Sequence, residues 1–488
     1  MNYKMIGRFS AQMLAIEAAF MIPAMLICLL DQTLHTAWAF IVSIVILAAV
    51  SALLFVLSRK APKEFYATEG MISVSVGWIL MSLLGCLPFC LSGEIPHYID
   101  ALFEMVSGFT TTGSSVVADV ESLSRGVLYW RSFSHWLGGM GVLVFLLALV
   151  PVGSQNKGFT MHLLRAESPG PDVGKFTPKM RTTAISLYLI YIVLTVVCFI
   201  FLVVDPGMDF FSAVCTAFGT AGTGGFGIKN DSMASYSPYV QTVCTVFMLL
   251  FGVNFSCYYL LLLRRVKAVL KDEELRLYLG IVAVSIALIT WNIYGKFVET
   301  ESVGNAIRHA AFQVSTIIST TGFSSANFDA WPTFSKAILM LLMVTGACAG
   351  STAGGLKCAR VLLLFKNLRR NVSQVLKPRE IRTVRVNKRP LDERILANTN
   401  TYLAAYVIII VVSFLIISLD NFSPLTNFTA VLACFNNIGP GLEAVGPTCN
   451  FAGYSILSKI VLCLDMLAGR LEIFPILALF NFKAYRKG

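Results

Sequence analysis

Ten apolar runs of membrane-crossing length occupy most of this chain, near residues 9–30, 36–58, 68–92, 127–152, 182–204, 238–263, 275–296, 333–364, 396–419 and 452–482. About twenty residues of helix cross the hydrocarbon layer, so ten crossings fit. Inside lipid, every backbone N–H and C=O must be satisfied by the protein itself, which leaves helices or closed barrels. With 56% apolar and only 13% charged residues, the chain is expected to be an all-α polytopic membrane protein. Twelve cysteines are scattered singly, mostly inside apolar runs as at Cys198, Cys257 and Cys463. They read as small hydrophobes rather than zinc ligands.

The net charge of +11 could point to nucleic acid, but its distribution points elsewhere. Lys4 and Arg8 precede the first run, Arg59, Lys60 and Lys63 follow the second, and Arg264, Arg265 and Lys267 follow the sixth. Residues 357–394 hold twelve Lys or Arg against three acids. The intervening loops lean acidic, with Glu94, Asp100, Asp119, Glu121, Asp205, Asp209, Glu299, Glu301 and Asp420. Positive charge stays on the cytoplasmic side, so both termini are expected there. No cleavable leader is expected, because the first run lacks a small-residue cleavage site.

Four short runs then stand out between the crossings: Thr110-Thr111-Thr112-Gly113, Gly222-Thr223-Gly224-Gly225, Ser319-Thr320-Thr321-Gly322 and Asn436-Asn437-Ile438-Gly439. Each follows an apolar segment too short to span, at 99–109, 209–219, 305–318 and 424–435. A helix that enters from outside, stops and returns as irregular backbone is a re-entrant pore loop, tolerated at membrane depth where it lines a cavity or is buried in protein. The repeat unit is therefore helix, pore loop, helix, four times around one central pore, after an N-terminal two-helix hairpin. The expected boundaries are 1–64 for the hairpin and 65–175, 176–270, 271–390 and 391–488 for the repeats. Outside the runs little recurs, although Phe103 and Phe312 each precede their glycine by ten residues. Four such runs suggest a ring of backbone carbonyls that replaces an ion's hydration shell, with glycine supplying φ values that other residues resist. The bland alternative is four helix caps and turns at membrane ends.

Two further features interrupt apolar runs. Residues 346–355 hold Gly346, Gly350, Gly354 and Gly355 with no bulky side chain, which breaks what would otherwise be one helix. Tight packing of small residues between helices would also explain them. Arg470 lies inside the last run, near Asp465 and Glu472. An ionised group within a span usually faces a cavity or a partner. It reads either as a structural pair with Asp465 or as a cation in the vestibule that raises the barrier for a permeating ion.

These residues carry a family resemblance over essentially the whole chain. The runs Phe103-Glu104-Met105-Val106-Ser107-Gly108 before Thr110, Thr223-Gly224-Gly225-Phe226, Thr320-Thr321-Gly322-Phe323, Asn437-Ile438-Gly439-Pro440-Gly441, the segment 346–355 and Gly469-Arg470-Leu471-Glu472 resemble the TrkH-type membrane subunit of the Trk/Ktr/HKT potassium transporters. The N-terminal hairpin favours the TrkH type over the KtrB type. The resemblance implies potassium ion uptake, with Thr111, Thr112, Gly113, Gly222, Thr223, Gly224, Thr320, Thr321, Gly322, Asn437, Ile438 and Gly439 contacting the ion. The family commonly has Ser where Gly222 stands, and on that departure Gly224 rather than Gly225 is the choice for the second ring position. In the family, glycine at all four ring positions goes with potassium and serine in the first with sodium, so a sodium-coupled or sodium-permeable transporter is the alternative.

The resemblance also implies a pore-blocking loop at 346–355, with Lys357 just beyond it and Arg470 as a tuning element. It implies a homodimer in a bacterial inner membrane, docked on a cytosolic ring of nucleotide-binding regulatory (RCK) domains. Attraction to anionic lipid headgroups would explain part of the same basic charge. No organic cofactor and no nucleic acid is expected. Nothing supports an enzyme: there is no phosphate loop ending in Lys-Ser/Thr, no metal-ligand spacing and no Gly-x-Ser-x-Gly. A carrier built on inverted repeats is disfavoured, because all four units begin and end on the basic side.

Overall fold

The computed structural model describes residues 2–59, 67–141, 180–377, 379 and 383–480. Helices α1 (Tyr3–Leu30) and α2 (Leu34–Leu57) form the N-terminal hairpin. Its tight turn places Gln32 at φ 58°, and Thr33 N–H donates to Cys28 O at 3.0 Å. The hairpin packs on the rest of the bundle through small residues: Met13 lies over Gly77 and Cys28 over Gly126.

Four units of like plan come next. In the first, α3 (Ala67–Gly85), continued by α4 (Leu87–Leu91), leads to the short α5 (Tyr98–Phe109) and then α6 (Arg125–Gly139). The second is α7 (Met180–Val203), α8 (Phe210–Gly222) and α9 (Pro238–Phe251), the last extended by α10 (Phe255–Leu262). After α11 (Val266–Leu270), the third is α12 (Glu273–Ile293), α13 (Val303–Ile318) and α14 (Thr333–Thr345), with α15 (Cys358–Leu376) beyond an irregular segment. A small antiparallel pair, β1 (Arg385–Val386) and β2 (Arg389–Pro390), precedes the fourth unit. That unit is α16 (Glu393–Ile417), α17 (Pro424–Phe435) and α18 (Ile456–Arg470), followed by α19 (Phe474–Leu479).

The short helices α5, α8, α13 and α17 fall where the sequence places its non-spanning segments. Three carry a side-chain cap that fixes their start: Asp209 accepts from Ser212 N–H, Ser302 from Asn305 N–H and Ser423 from Thr426 N–H. The fourth, α5, has Asp100 in its first turn, and Lys459 of α18 pairs with it at 2.6 Å. Each short helix is buried over most of its length, whereas the first helices of the units expose Val196, Val284 and Leu415 as lipid-facing apolar side chains.

Among the described residues, six helices are long and apolar enough to cross a membrane: α1, α2, α3 with α4, α7, α12 and α16. The last helix of the second and fourth units differs from the single long crossing expected of it, while that of the third breaks where the sequence places its glycine segment. In the second unit α9 and α10 bend by 87° around residues 252–254, and in the third α14 gives way to irregular backbone at Gly346. In the fourth, α18 stops at Arg470, and Glu472 and Ile473 take φ values of 60° and 64°. At the bend of the second unit Gly252 O accepts from Cys348 N–H and Phe255 N–H donates to Gly350 O, so freed backbone groups find protein partners, the condition for breaking a helix at such depth. Residues 142–152 of the expected fourth crossing, 481–482 of the tenth, and the basic residues Lys60 and Lys63 lie outside the described residues.

Phe103 and Phe312, the recurrent pair, are both fully buried on their short helices. Phe103 packs against Phe451, with ring centroids 5.6 Å apart. Phe103→Ala is expected to cost about 3–5 kcal/mol through lost burial and the cavity left behind. Thermal unfolding in detergent measures this, and an unchanged midpoint would show that α5 does not depend on the contact.

Candidate functional site

The four short helices end identically. At the end of α5, Thr111 N–H donates to Gly108 O at 3.1 Å and Thr112 N–H to Ser107 O at 2.9 Å. This paired ending is the Schellman motif, which requires a left-handed residue just past the helix. The same two bonds recur from Thr223 and Gly224 after α8, from Thr320 and Thr321 after α13, and from Asn437 and Ile438 after α17. The left-handed residues Thr111, Thr223, Thr320 and Asn437 have φ of 56°, 54°, 55° and 56°. Threonine is a poor choice there, since a β-branched residue at positive φ costs roughly 1–2 kcal/mol. Three threonines held in that conformation mark local strain that the surrounding packing sustains.

Two residues further on, each run has a glycine at positive φ: Gly113 at 82°, Gly225 at 77°, Gly322 at 89° and Gly439 at 103°. Gly225 is therefore the counterpart of the other three, and the sequence-based choice of Gly224 is one residue short. Gly224 instead occupies the third position, with Thr112, Thr321 and Ile438. Gly222 is the last residue of α8, its carbonyl taken by the Thr223 hydroxyl at 2.6 Å.

The four runs meet one another in cyclic order. A Cβ on Gly113 would fall on Gly224 O, one on Gly225 on Thr321 O, and one on Gly322 on Ile438 O. A Cβ on Gly439 would lie 2.9 Å from Thr112 O, which closes the circle. Each glycine thus presses its bare Cα against the third-position carbonyl of the next unit. No side chain fits at any of the four places without displacing main chain.

Polar side chains behind the ring hold its parts. The Thr112 hydroxyl meets that of Thr110 at 2.8 Å and accepts from Asn437 Nδ2 at 2.9 Å, and Ser319 and Thr321 repeat the hydroxyl pair at 2.7 Å. On the acidic side of the ring, Ser114 Oγ donates to Gly439 O at 3.0 Å, joining the first and fourth units. Glu443, just past the fourth run, accepts from the Ser423 and Thr426 hydroxyls, which hold its carboxyl below the usual carboxylate range.

Under the ring lies the irregular backbone of 346–357. Gly346, Gly350 and Gly355 take φ of 66°, 68° and 77°, and Lys357 takes 75°, so these residues form a true loop and not a packed helix. Gly354 N–H donates to the Thr320 hydroxyl at 2.6 Å, and a Cβ on Gly354 would strike Asn436 O. The loop is also tied to the bend of the second unit, with Cys348 N–H on Gly252 O at 3.1 Å and Phe255 N–H on Gly350 O at 3.0 Å. Lys357 is buried and its ammonium donates to Ala353 O. A run of acids at the start of α12 secures the same region. Glu274 accepts from Ala349 N–H at 2.5 Å, Glu273 pairs with Lys366 of α15, and Asp272 accepts from Asn387 at 2.9 Å.

Arg470 joins ring and loop. Its guanidinium donates to the Thr111 hydroxyl at 3.1 Å, to Thr352 O at 2.7 Å, and to the carbonyls of Gly138 and Gly139 at the end of α6. The pairing of Arg470 with Asp465 weighed from the sequence is not what these contacts show. Asp465 accepts from Ser413 Oγ at 2.7 Å, and Glu472 pairs with Arg360. The two residues are five positions apart on a helix and point to different neighbours, Arg470 inward under the ring. A cavity of about 80 Å3 lined by Gly139, Gly350, Gly354, Lys357, Arg470 and Glu472 lies at this level.

Sequence reasoning missed Glu104 and Arg131. They form a fully buried, two-bond ion pair at 2.8 and 2.6 Å. Glu104 also accepts from Ser115 Oγ and from Val116 N–H at 3.0 Å, while Arg131 lies 4.1 Å over the Phe226 ring. The pair thereby connects α5, α6 and the segments leaving the first two runs. The available signal was an arginine inside an apolar run, which calls for a buried partner.

The bundle thus has the plan of a polytopic membrane protein with four re-entrant segments that close one ring above a loop. A family model described as TrkH, a cation transport protein, matches residues 37–485. The Trk system potassium uptake protein TrkH of Escherichia coli (strain K12) is 34% identical over 497 residues, with all of both chains covered. TrkG of the same strain is 31% identical over 474 residues, covering 94% of each. The crystal structure of the potassium transporter TrkH from Vibrio parahaemolyticus superposes with a TM-score of 0.86 at 29% identity over the whole of both chains. The chain belongs to the TrkH family of cation transport proteins, a family of transporters and not of enzymes.

Removing one partner of a buried ion pair strands the other, so Glu104→Gln should lower stability by about 3–5 kcal/mol. Asp465→Asn keeps the acceptor for Ser413 and should unfold near the wild-type temperature. Detergent-solubilised melting curves separate the two, and equal losses would contradict this division of roles.

Proposed function

We propose that the chain takes up potassium ions across the bacterial inner membrane through the ring formed by its four runs. The observation that carries this is the closed cycle of glycines against third-position carbonyls. Such a ring puts backbone oxygens from all four units at one level, where they can replace an ion's hydration shell. The likeness to proteins named as potassium uptake proteins supports potassium as the ion. Four glycines, none with room for a Cβ, fit the potassium-associated pattern of the family rather than its serine-containing one. Ionised Glu443 near the outer end would raise the local cation concentration. Accumulation draws on the membrane potential, worth about 2.3 kcal/mol per charge per 100 mV.

The loop at 346–357 acts as the gate, and Arg470 sets the barrier beneath the ring. With Lys357, it places positive charge in the path of a cation leaving the ring. The basic side is cytoplasmic, where exposed Arg264, Arg265, Lys267, Lys377, Arg385, Lys388 and Arg389 offer a surface for anionic lipid headgroups and a cytosolic ring of nucleotide-binding domains. The chain functions as a homodimer on that ring. Movement of α15 would reach the loop directly, because α15 begins where the loop ends. A ring that prefers one loop position shifts the gate only through that preference.

The decisive test is rubidium and sodium uptake by the purified chain in proteoliposomes, beside potassium-limited growth of an uptake-deficient bacterium. Gly113→Ser should lower the preference for rubidium over sodium at normal expression, because the added side chain displaces Gly224 O. Unchanged selectivity would remove the ring from the pathway. Deleting residues 347–353 and, separately, Arg470→Ala should each raise flux without changing selectivity. A folded deletion variant that conducts no faster would make the loop a packing element. Co-purification with the cognate ring, with ATP or ADP, tests the partner, and flux indifferent to both would exclude it.

A further inference from the structure

Unlike the other three, the second run has no side chain at its third position, and the difference has a visible cause. Thr112, Thr321 and Ile438 occupy its third position elsewhere, whereas the second run has Gly224. A Cβ on Gly224 would overlap Cγ, Nδ1 and Cδ2 of the His135 imidazole. His135, from α6 of the first unit, has no exposed surface. Its ring takes the space that a side chain fills in each of the other units.

Both nitrogens of that ring are engaged. Nδ1 lies 2.8 Å from Gly108 O, the carbonyl that also receives Thr111 N–H at the end of α5. Nε2 lies 3.2 Å from Phe226 N, on the residue that follows Gly225. A peptide N–H can only donate, so Nε2 accepts and the single ring proton sits on Nδ1, donated to Gly108 O. The imidazole is thus neutral and held in one tautomer by the N–H of Phe226, just past the second run, and the carbonyl of Gly108 near the end of α5. It also packs on the Phe226 ring at 4.2 Å, while Arg131 covers the same phenyl group at 4.1 Å. One turn of α6 therefore meets Phe226, just past the second run, with a guanidinium and an imidazole, and bonds Glu104 and Gly108 O of α5, just before the first run.

We infer that His135 is a positioning residue that sets the ion preference of the pore by fixing the spacing between the first and second runs. This role rests on the potassium-uptake reading and on one chain of contact. His135 backs Gly224, and the Gly224 carbonyl is the atom that abuts Gly113. A displaced imidazole would shift that oxygen relative to the neighbouring unit and alter the ring on one side. A carbonyl ring distinguishes ions of different radius only while its oxygens stay at a set separation, so a small shift changes selectivity before it changes the fold.

Three variants in proteoliposomes test this by rubidium and sodium uptake: His135→Ala, Gly224→Ala and the double substitution. Gly224→Ala should abolish most uptake, because its methyl group meets the imidazole. His135→Ala should keep uptake but lower the rubidium-to-sodium ratio by about tenfold, the size of a 1.4 kcal/mol change in ion discrimination. The double variant should recover uptake towards the level of His135→Ala, since the methyl group then has the vacated space. If His135→Ala does not fold, His135→Asn, which retains an amide donor but lacks the ring, should show the same loss of discrimination. A wild-type ratio in a folded His135 variant, or a double variant as inactive as Gly224→Ala, would overturn the inference alone. Wild-type protein that moves neither ion would overturn the potassium reading beneath it.

Discussion

The close approach of four stretches of backbone, with no side chain between them, is the constraint on which the other features rest. Each of Gly113, Gly225, Gly322 and Gly439 sets its Cα against a carbonyl of the next unit. That contact tolerates glycine alone, both for its positive φ and for its missing Cβ. The identical endings of α5, α8, α13 and α17 deliver the chain to this geometry, and the left-handed threonines are the local cost of it. In a soluble setting such backbone would compete with water. Here it is buried in protein at membrane depth, and every freed group must find a fixed partner.

The ring does not stand alone, because buried charge holds it from two sides. On the acidic side, the Glu104–Arg131 pair ties the first two units together at the segments leaving their runs. On the basic side, one arginine from the fourth unit reaches the first run, the end of α6 and the loop of the third unit. Arg470 uses its planar, multiply donating group as a junction, a role that a lysine could not fill with equal geometry. The loop is pinned in turn by the bend at 252–254 and by the carboxylate of Glu274. Ring, loop and the start of α15 are in this way mechanically continuous over a short distance.

Much of this was legible in the order of residues. The spans, the hairpin and the four short helices follow from apolar length and from the position of the runs, since lipid permits few alternatives. The loop was legible as well, because four glycines in ten positions cannot hold a helix. The breaks in α9 and α18 were less so. Gly252 and Asn254 in one, and Arg470 and Glu472 in the other, mark these places, yet such residues also occur in continuous crossings. The acids at 272–274 read as a helix start, and only the fold shows that they also hold α15 and the loop.

The sequence by itself determined the class of fold and placed a glycine-bearing run after each of the four short helices. Those properties depend on periodicity and composition, which are local. The tertiary structure alone decided the register of the second run and the partner of Arg470. Gly224 and Gly225 are equivalent as letters; they separate because Gly225 takes positive φ against Thr321 O, whereas Gly224 is backed by the imidazole of His135, far earlier in the chain. Likewise Asp465 is near Arg470 along the chain, yet the helix turns the two towards different neighbours, and desolvation favours the contacts that satisfy most of the guanidinium's donors. Which groups meet across units depends on packing at a distance, and spacing along one chain does not carry that information.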